Sequence, residues 1–159
     1  EGGSASGPGG SGSPCRRFDT SRFGTLEVPV DGVISLPQGI PGFANAREFV
    51  LLDHRPGSMF RWLQSMQDRD LAFVVIDPCR VDPEYPIDLV RKHLGFLELG
   101  QEEEIVVLAL CTVPARPDKP TVNLLAPIGV GLESKRGAQV LLHETKYEAR
   151  TEFLPARAA

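Results

Sequence analysis

Proline and glycine punctuate this chain so densely that no long helix fits into it: 14 Pro and 16 Gly fall among 159 residues. A glycine costs a helix interior about 1 kcal/mol relative to alanine and a proline about 3 kcal/mol. A helical bundle is therefore excluded, and turns must be frequent. Between the interruptions, apolar residues alternate. Leu26, Val28 and Val30 alternate with Thr25, Glu27 and Pro29, the pattern of a half-buried strand, and Pro29 points to a sheet edge. Asp31-Gly32 predicts a tight hairpin turn from this strand into residues 33–36. Further strands are predicted over 48–52, 59–65, 71–76, 105–113, 121–125, 128–132 and 139–143, with a final edge strand in the tail from Tyr147. The unbroken apolar run at 105–113 reads as a central strand buried on both faces. Ile87, Val90, Leu94 and Leu97 recur at steps of three and four, the one helical stripe. Ile40 and Phe43 are expected to tuck inward from the Pro/Gly loop at 37–43, and Trp62, Leu63, Phe73 and Val107 to form core.

So many short strands must close or stack, because open edges invite association. The expectation is an all-β fold, a small antiparallel barrel-like domain with one short helix, over residues 15–159. Residues 1–14 hold six Gly, four Ser, two Pro and a single apolar residue, Ala5, and are expected to be a flexible tail or linker. The formal charge of −4 lacks the dense basic face that direct nucleic-acid binding needs. The longest apolar run is half of what a membrane span requires. Cys15, Cys79 and Cys111 are scattered and odd in number, which fits a reducing cytoplasm, and nothing at the start resembles a secretion signal.

Tests for chemistry return little. There is no G-x-S-x-G, no H-E-x-x-H and no P-loop, and His54, His93 and His143 have no zinc-like spacing. Gly129-Val130-Gly131 lacks the third glycine of a dinucleotide fingerprint and reads as a bulge or turn between strands. No catalytic residue, metal or cofactor is expected. Asp68/Asp70 and Glu102/Glu103/Glu104 read as solvated turn charges. The larger acidic feature is residues 77–104, where eight carboxylates, Asp82 and Glu84 among them, face only Arg80, Arg91 and Lys92. That segment is more acidic than the whole chain and suits steering of a basic partner.

Three ordered blocks resemble the flagellar assembly factor FliW family. Leu36 to Phe43 (LPQGIPGF) followed by Arg47-Glu48-Phe49-Val50-Leu51-Leu52 is similar to its first block. Phe60-Arg61-Trp62-Leu63-Gln64-Ser65, then Leu71-Ala72-Phe73 and Asp77-Pro78 leading to Tyr85, is similar to its second. Thr121 to Ile128 (TVNLLAPI), followed by Gln139 to Leu142, Tyr147 and Arg150, is similar to its third. The Gly/Ser leader and Gly129-Val130-Gly131 depart from the family pattern. The resemblance implies a barrel-like cytoplasmic protein, monomeric when free, that antagonises the translational regulator CsrA and also binds flagellin. In such a switch, flagellin sequesters the antagonist and CsrA is released to repress flagellin synthesis.

Candidate contact residues are Gln64 and Ser65 at a strand end, Asp82 and Glu84 in the acidic segment, Tyr85 (with Phe43) as an aromatic anchor, and Asn123. Asn123 has low strand propensity, so it either caps a bulge or meets a partner. Two alternatives are a ligand-binding or hydrolytic barrel, with loops 53–58 and 114–120 at its mouth, and a flagellin chaperone with no translational role.

Overall fold

The computed structural model describes residues 14–100, 102–114 and 119–154. The expected tail at 1–14 lies outside them except for Pro14, whose carbonyl accepts from Val30 N at 2.9 Å. The first hairpin is formed one strand earlier than predicted. Strand β1 (Cys15–Thr20) pairs antiparallel with β2 (Gly24–Pro29) from Cys15 opposite Pro29 to Thr20 opposite Gly24. Thr20 Oγ1 donates to Gly24 O and accepts from Phe23 N, both at 2.8 Å, and Gly24 supplies the φ of 72° that the turn needs. Asp31-Gly32 does not make the predicted hairpin. A mirror-image turn needs a positive φ at its first central residue, and in type I′ at both, and neither residue has one; Val30–Gly32 forms a 3₁₀ turn instead.

The remaining strands form one nine-stranded antiparallel sheet. They are β3 (Ile34–Ser35), β4 (Glu48–Asp53), β5 (Arg61–Ser65), β6 (Ala72–Ile76), β7 (Ile105–Thr112), β8 (Thr121–Val122), β9 (Ile128–Gly131), β10 (Gly137–Gln139) and β11 (Thr151–Glu152). The path runs β10-β9-β7-β6-β5-β4-β3, and β8 lies off it, pairing with β7 and with β11. The two ends meet only at an isolated parallel bridge between Ser35 and Arg136, where Ser35 N donates to Lys135 O at 2.7 Å. One bridge is not a ladder, so the sheet curls like a barrel but is not closed. The all-β antiparallel architecture with one short helix matches expectation; the closure does not.

Strand β7 is buried on both faces, as its continuous apolar run predicts. Leu108 faces the inner core with Ile34, Leu36, Phe49, Leu63, Val75, Ile128 and Val130. Val107 and Ala109 face an outer core with Val90, Leu94, Leu142 and Phe153. The outer core is covered by α1 (Ile87–His93), which has Asp88 in its first turn and Arg91, Lys92 and His93 in its last, signs that suit the helix dipole. The helix stops short of the predicted stripe, and Gly95–Leu97 continues as a 3₁₀ turn ended by Glu98 at φ 55°.

Gly129-Val130-Gly131 is the interior of β9, not a bulge or turn, and its glycines are there for space. A β-carbon on Gly129 would stand 2.7 Å from Leu94 Cδ1 and 3.1 Å from Val90 Cγ1, so the helix rests directly on this strand. Trp62 and Phe73, expected in the core, are only partly buried. The guanidinium of Arg22 lies 4.2 Å above the Trp62 ring. Ile40 is buried as expected, but Phe43 is 42% exposed, with its ring edge-on to Phe73.

Candidate functional site

The acidic segment is built on irregular backbone between β6 and β7. Asp77 caps the 3₁₀ turn Pro78–Arg80 by accepting from Cys79 N at 2.9 Å. Asp82 accepts from Tyr147 O–H at 2.6 Å and from Glu84 N at 3.0 Å. The Tyr147 hydroxyl first, and the Glu84 amide second, hold its carboxyl below the usual carboxylate range. The same bond raises Tyr147 to about 12. Glu84 is exposed. Tyr85, expected as an exposed anchor, is 4% exposed and belongs to the outer core. Its hydroxyl donates to Leu124 O at 2.5 Å and its ring lies 4.9 Å from that of Tyr147. Burial pushes the Tyr85 phenol well up.

Replacing Tyr147 with Phe tests this tie between residue 82 and the C-terminal segment. A carboxyl whose folded pKa is depressed contributes stability above its unfolded value of about 3.9, and that contribution is lost as pH falls through the folded value. A phenol raised to about 12 contributes below its unfolded value of about 10, and that contribution is lost as pH climbs between the two. Urea midpoints of the Tyr147→Phe variant should therefore vary less than those of the parent, both below about pH 4 and between about pH 10 and 12. Identical pH profiles would show that the bond contributes nothing.

Gln64 and Ser65 do not meet the exposure expected of contact residues; both are fully buried. Gln64 Nε2 donates to Ser65 O at 3.0 Å, and Ser65 Oγ accepts from Gln67 N and Asp68 N at 3.1 and 3.0 Å. They pin the turn between β5 and β6. Asn123 takes the capping alternative: its Oδ1 accepts from Leu125 N and Ala126 N at 3.1 and 3.0 Å. Glu103, expected to be solvated, is 6% exposed. Its carboxylate accepts from Glu133 N and Ser134 N at 3.0 and 2.5 Å, and these amides, that of Ser134 foremost, hold its pKa down. The other seven carboxylates of 77–104 stay at the surface: Asp82 partly buried, and Asp77, Glu84, Asp88, Glu98, Glu102 and Glu104 exposed.

No convergent acid, base and nucleophile accompanies these groups among the described residues. Burial pushes the Cys111 thiol up to about 12, far from the thiolate that reacts. His93 Nε2 lies 3.0 Å from a Glu144 oxygen, with no serine or cysteine in that contact.

The family model described as FliW protein matches residues 17–153. A flagellar assembly factor FliW of Desulfitobacterium hafniense is 39% identical over 143 residues, covering 90% of this chain and 94% of that protein. One of Caldicellulosiruptor saccharolyticus is 36% identical over 128 residues, covering 80% and 84%. A crystal structure of the flagellar assembly factor FliW superposes with a TM-score of 0.78 at 33% identity, covering 88% of this chain and 98% of that one. The chain belongs to the FliW family.

The FliW blocks that carried the resemblance turn out to specify backbone geometry. In the first, Gly39 holds φ 68°, and a β-carbon there would meet the Ala44 backbone at 2.8 Å. In the second, Gln64 and Ser65 tie a turn. In the third, Asn123 caps one. Of the two acidic candidates, Glu84 is exposed, and Asp82 is half-buried with its carboxylate engaged by Tyr147 and the Glu84 amide.

Proposed function

We propose that this protein works by occupying other proteins: it antagonises CsrA in the cytoplasm and binds flagellin, coupling flagellin synthesis to flagellar assembly. The observation that supports this best is the run of seven surface carboxylates within 77–104 against Arg80, Arg91 and Lys92. Arg91 is itself engaged, its guanidinium donating to the Glu103 carbonyl. An acidic face draws in a basic RNA-binding regulator and, once docked beside its RNA surface, repels phosphate. Membership of the FliW family, whose described relatives are flagellar assembly factors, supports the flagellar setting. No helix is long and apolar enough to cross a membrane among the described residues.

A hydrolytic barrel would need a cavity in which polar groups converge. One cavity is lined by aliphatic side chains with Arg61 and Lys135 and by no carboxylate, histidine, cysteine or serine; a second brings Asp77 and Cys79 together without a histidine, and burial raises the Cys79 thiol away from the reactive thiolate. The test is to mix the purified chain with the matching CsrA dimer bound to a flagellin-mRNA leader. Co-elution with CsrA and release of the leader, reversed by added flagellin, is the expected result. Co-elution with flagellin alone would replace this reading with that of an assembly chaperone, and binding to neither would remove it.

A further inference from the structure

The first of these cavities, about 210 Å³, has a second use. Its floor is Ile34, Leu51, Val106, Leu108 and Val130, contributed by β3, β4, β7 and β9. Its rim carries Arg61 and Lys135, with Leu132 beside them 45% exposed. Arg61 Nε is withdrawn from solvent and makes no hydrogen bond. Its ion-pair partner, Asp53, lies 3.5 Å away and is 79% exposed, so water screens that pair. A second cavity shares Arg61, Val106 and Leu108 with this one and brings Asp77 and Cys79 to its wall. Lys135 sits at φ 60°, unusual for a residue with a β-carbon. Its ammonium donates to Leu132 O at 2.5 Å, which keeps it at the rim. The Glu103 carboxylate lies behind Gly131 but is engaged by the Glu133 and Ser134 amides.

An apolar floor offers water no partners, so water lying over it is readily displaced by an alkyl group. At about 30 Å³ for each water-sized heavy atom the volume matches roughly seven such atoms, the size of a small branched acid. We propose that the cavity binds an aliphatic monocarboxylate, with its branched tail on the floor and its carboxylate held by Arg61 and Lys135. Charge-assisted hydrogen bonds at a partly desolvated rim are the strong kind, and they make the head group the main determinant of affinity. Two sources carry this chemistry: a free short acid, or the C-terminal leucine of a peptide. Binding of such an acid requires neither CsrA nor flagellin.

The experiment is an NMR titration of the ¹⁵N-labelled chain with 4-methylpentanoate, 4-methylpentanamide, and a tetrapeptide ending in leucine with a free or amidated terminus. The expected result is saturable shifts at the amides of Ile34, Leu51, Val106, Leu108 and Val130 with a Kd on the order of 1 mM. The neutral amide should bind at least about tenfold more weakly. Arg61→Gln should weaken the acid by a similar factor and leave the amide unchanged; Lys135→Gln, in an exposed turn, serves the same purpose if the first variant folds poorly. Tighter binding of the free-terminus peptide than of the free acid would assign the site to chain ends, and the reverse to small acids. Equal binding of acid and amide, shifts centred elsewhere, or no saturation by either carboxylate up to about 20 mM would overturn the proposal.

Discussion

An alanine in place of Phe49 is expected to lower the free energy of unfolding by about 3–5 kcal/mol, against the total of about 5–15 kcal/mol that such domains hold. Phe49 is completely buried in the inner core and stands opposite both Ile34 and Ser65 in the sheet. Its ring centroid lies 6.3 Å from that of Phe73. The neighbours that would have to fill the void, Leu36, Leu63 and Val75, are themselves fully buried, and the last two lie on strands fixed by ladders on both sides. Collapse is therefore limited and the cavity cost is retained. The single tryptophan, Trp62, lies on the adjacent strand in register with Leu52 and reports unfolding by fluorescence. Phe96→Ala is the control. Phe96 is 53% exposed, and its replacement should change stability by no more than about 0.5 kcal/mol. A Phe49→Ala loss below about 1 kcal/mol would mean that its inner-core neighbours are free to collapse into the void.

Where the chain spends its apolar residues on two cores at once, its fold is easy to read. The run around Val107 and Leu108 feeds both cores, and β4, β5 and β6 lie close to their predicted positions. Strand β1 was illegible because five of its six residues, Cys15, Arg16, Arg17, Phe18 and Asp19, are exposed or only partly covered, so no alternation marks it. The prediction at 121–125 overshoots because Asn123 turns the chain after Val122. The one at 139–143 starts late; Val140 and Leu142 are buried and bonded to Pro127 O and Leu125 O outside the regular ladder.

At the candidate site, charge was legible and satisfaction was not. Glu84 is exposed and Asp82 half-buried, whereas Gln64, Ser65 and Glu103 are buried polar residues whose bonds run to nearby backbone, Gln64 Oε1 alone of these atoms being left without a partner. Only the folded turns at 65–68 and 133–134 reveal those partners. Tyr85 and Tyr147 are visible as two residues but their contacts are not, since 39 positions separate Tyr85 from the carbonyl it binds and 65 separate Tyr147 from Asp82.

Reversing the acidic face should cost more in association rate than any single contact would. Glu84, Asp88 and Glu102 are exposed, so lysines there change the field while leaving the Asp82–Tyr147 bond and the buried Glu103 in place. Each replacement adds two positive charges, and the triple variant moves the formal charge from −4 to +2. Steering of oppositely charged proteins raises on-rates by roughly 10–10³-fold, and most of that gain should vanish for binding to a basic CsrA dimer at about 0.05 M salt. At about 0.5 M salt the screening length falls to about 4 Å, and the parent chain should then associate as slowly as the variant, with much smaller changes in dissociation. Stopped-flow association at the two salt concentrations separates the possibilities. On-rates that ignore both the charge reversal and the salt would remove electrostatic attraction from the mechanism and leave docking to the uncharged parts of the surface.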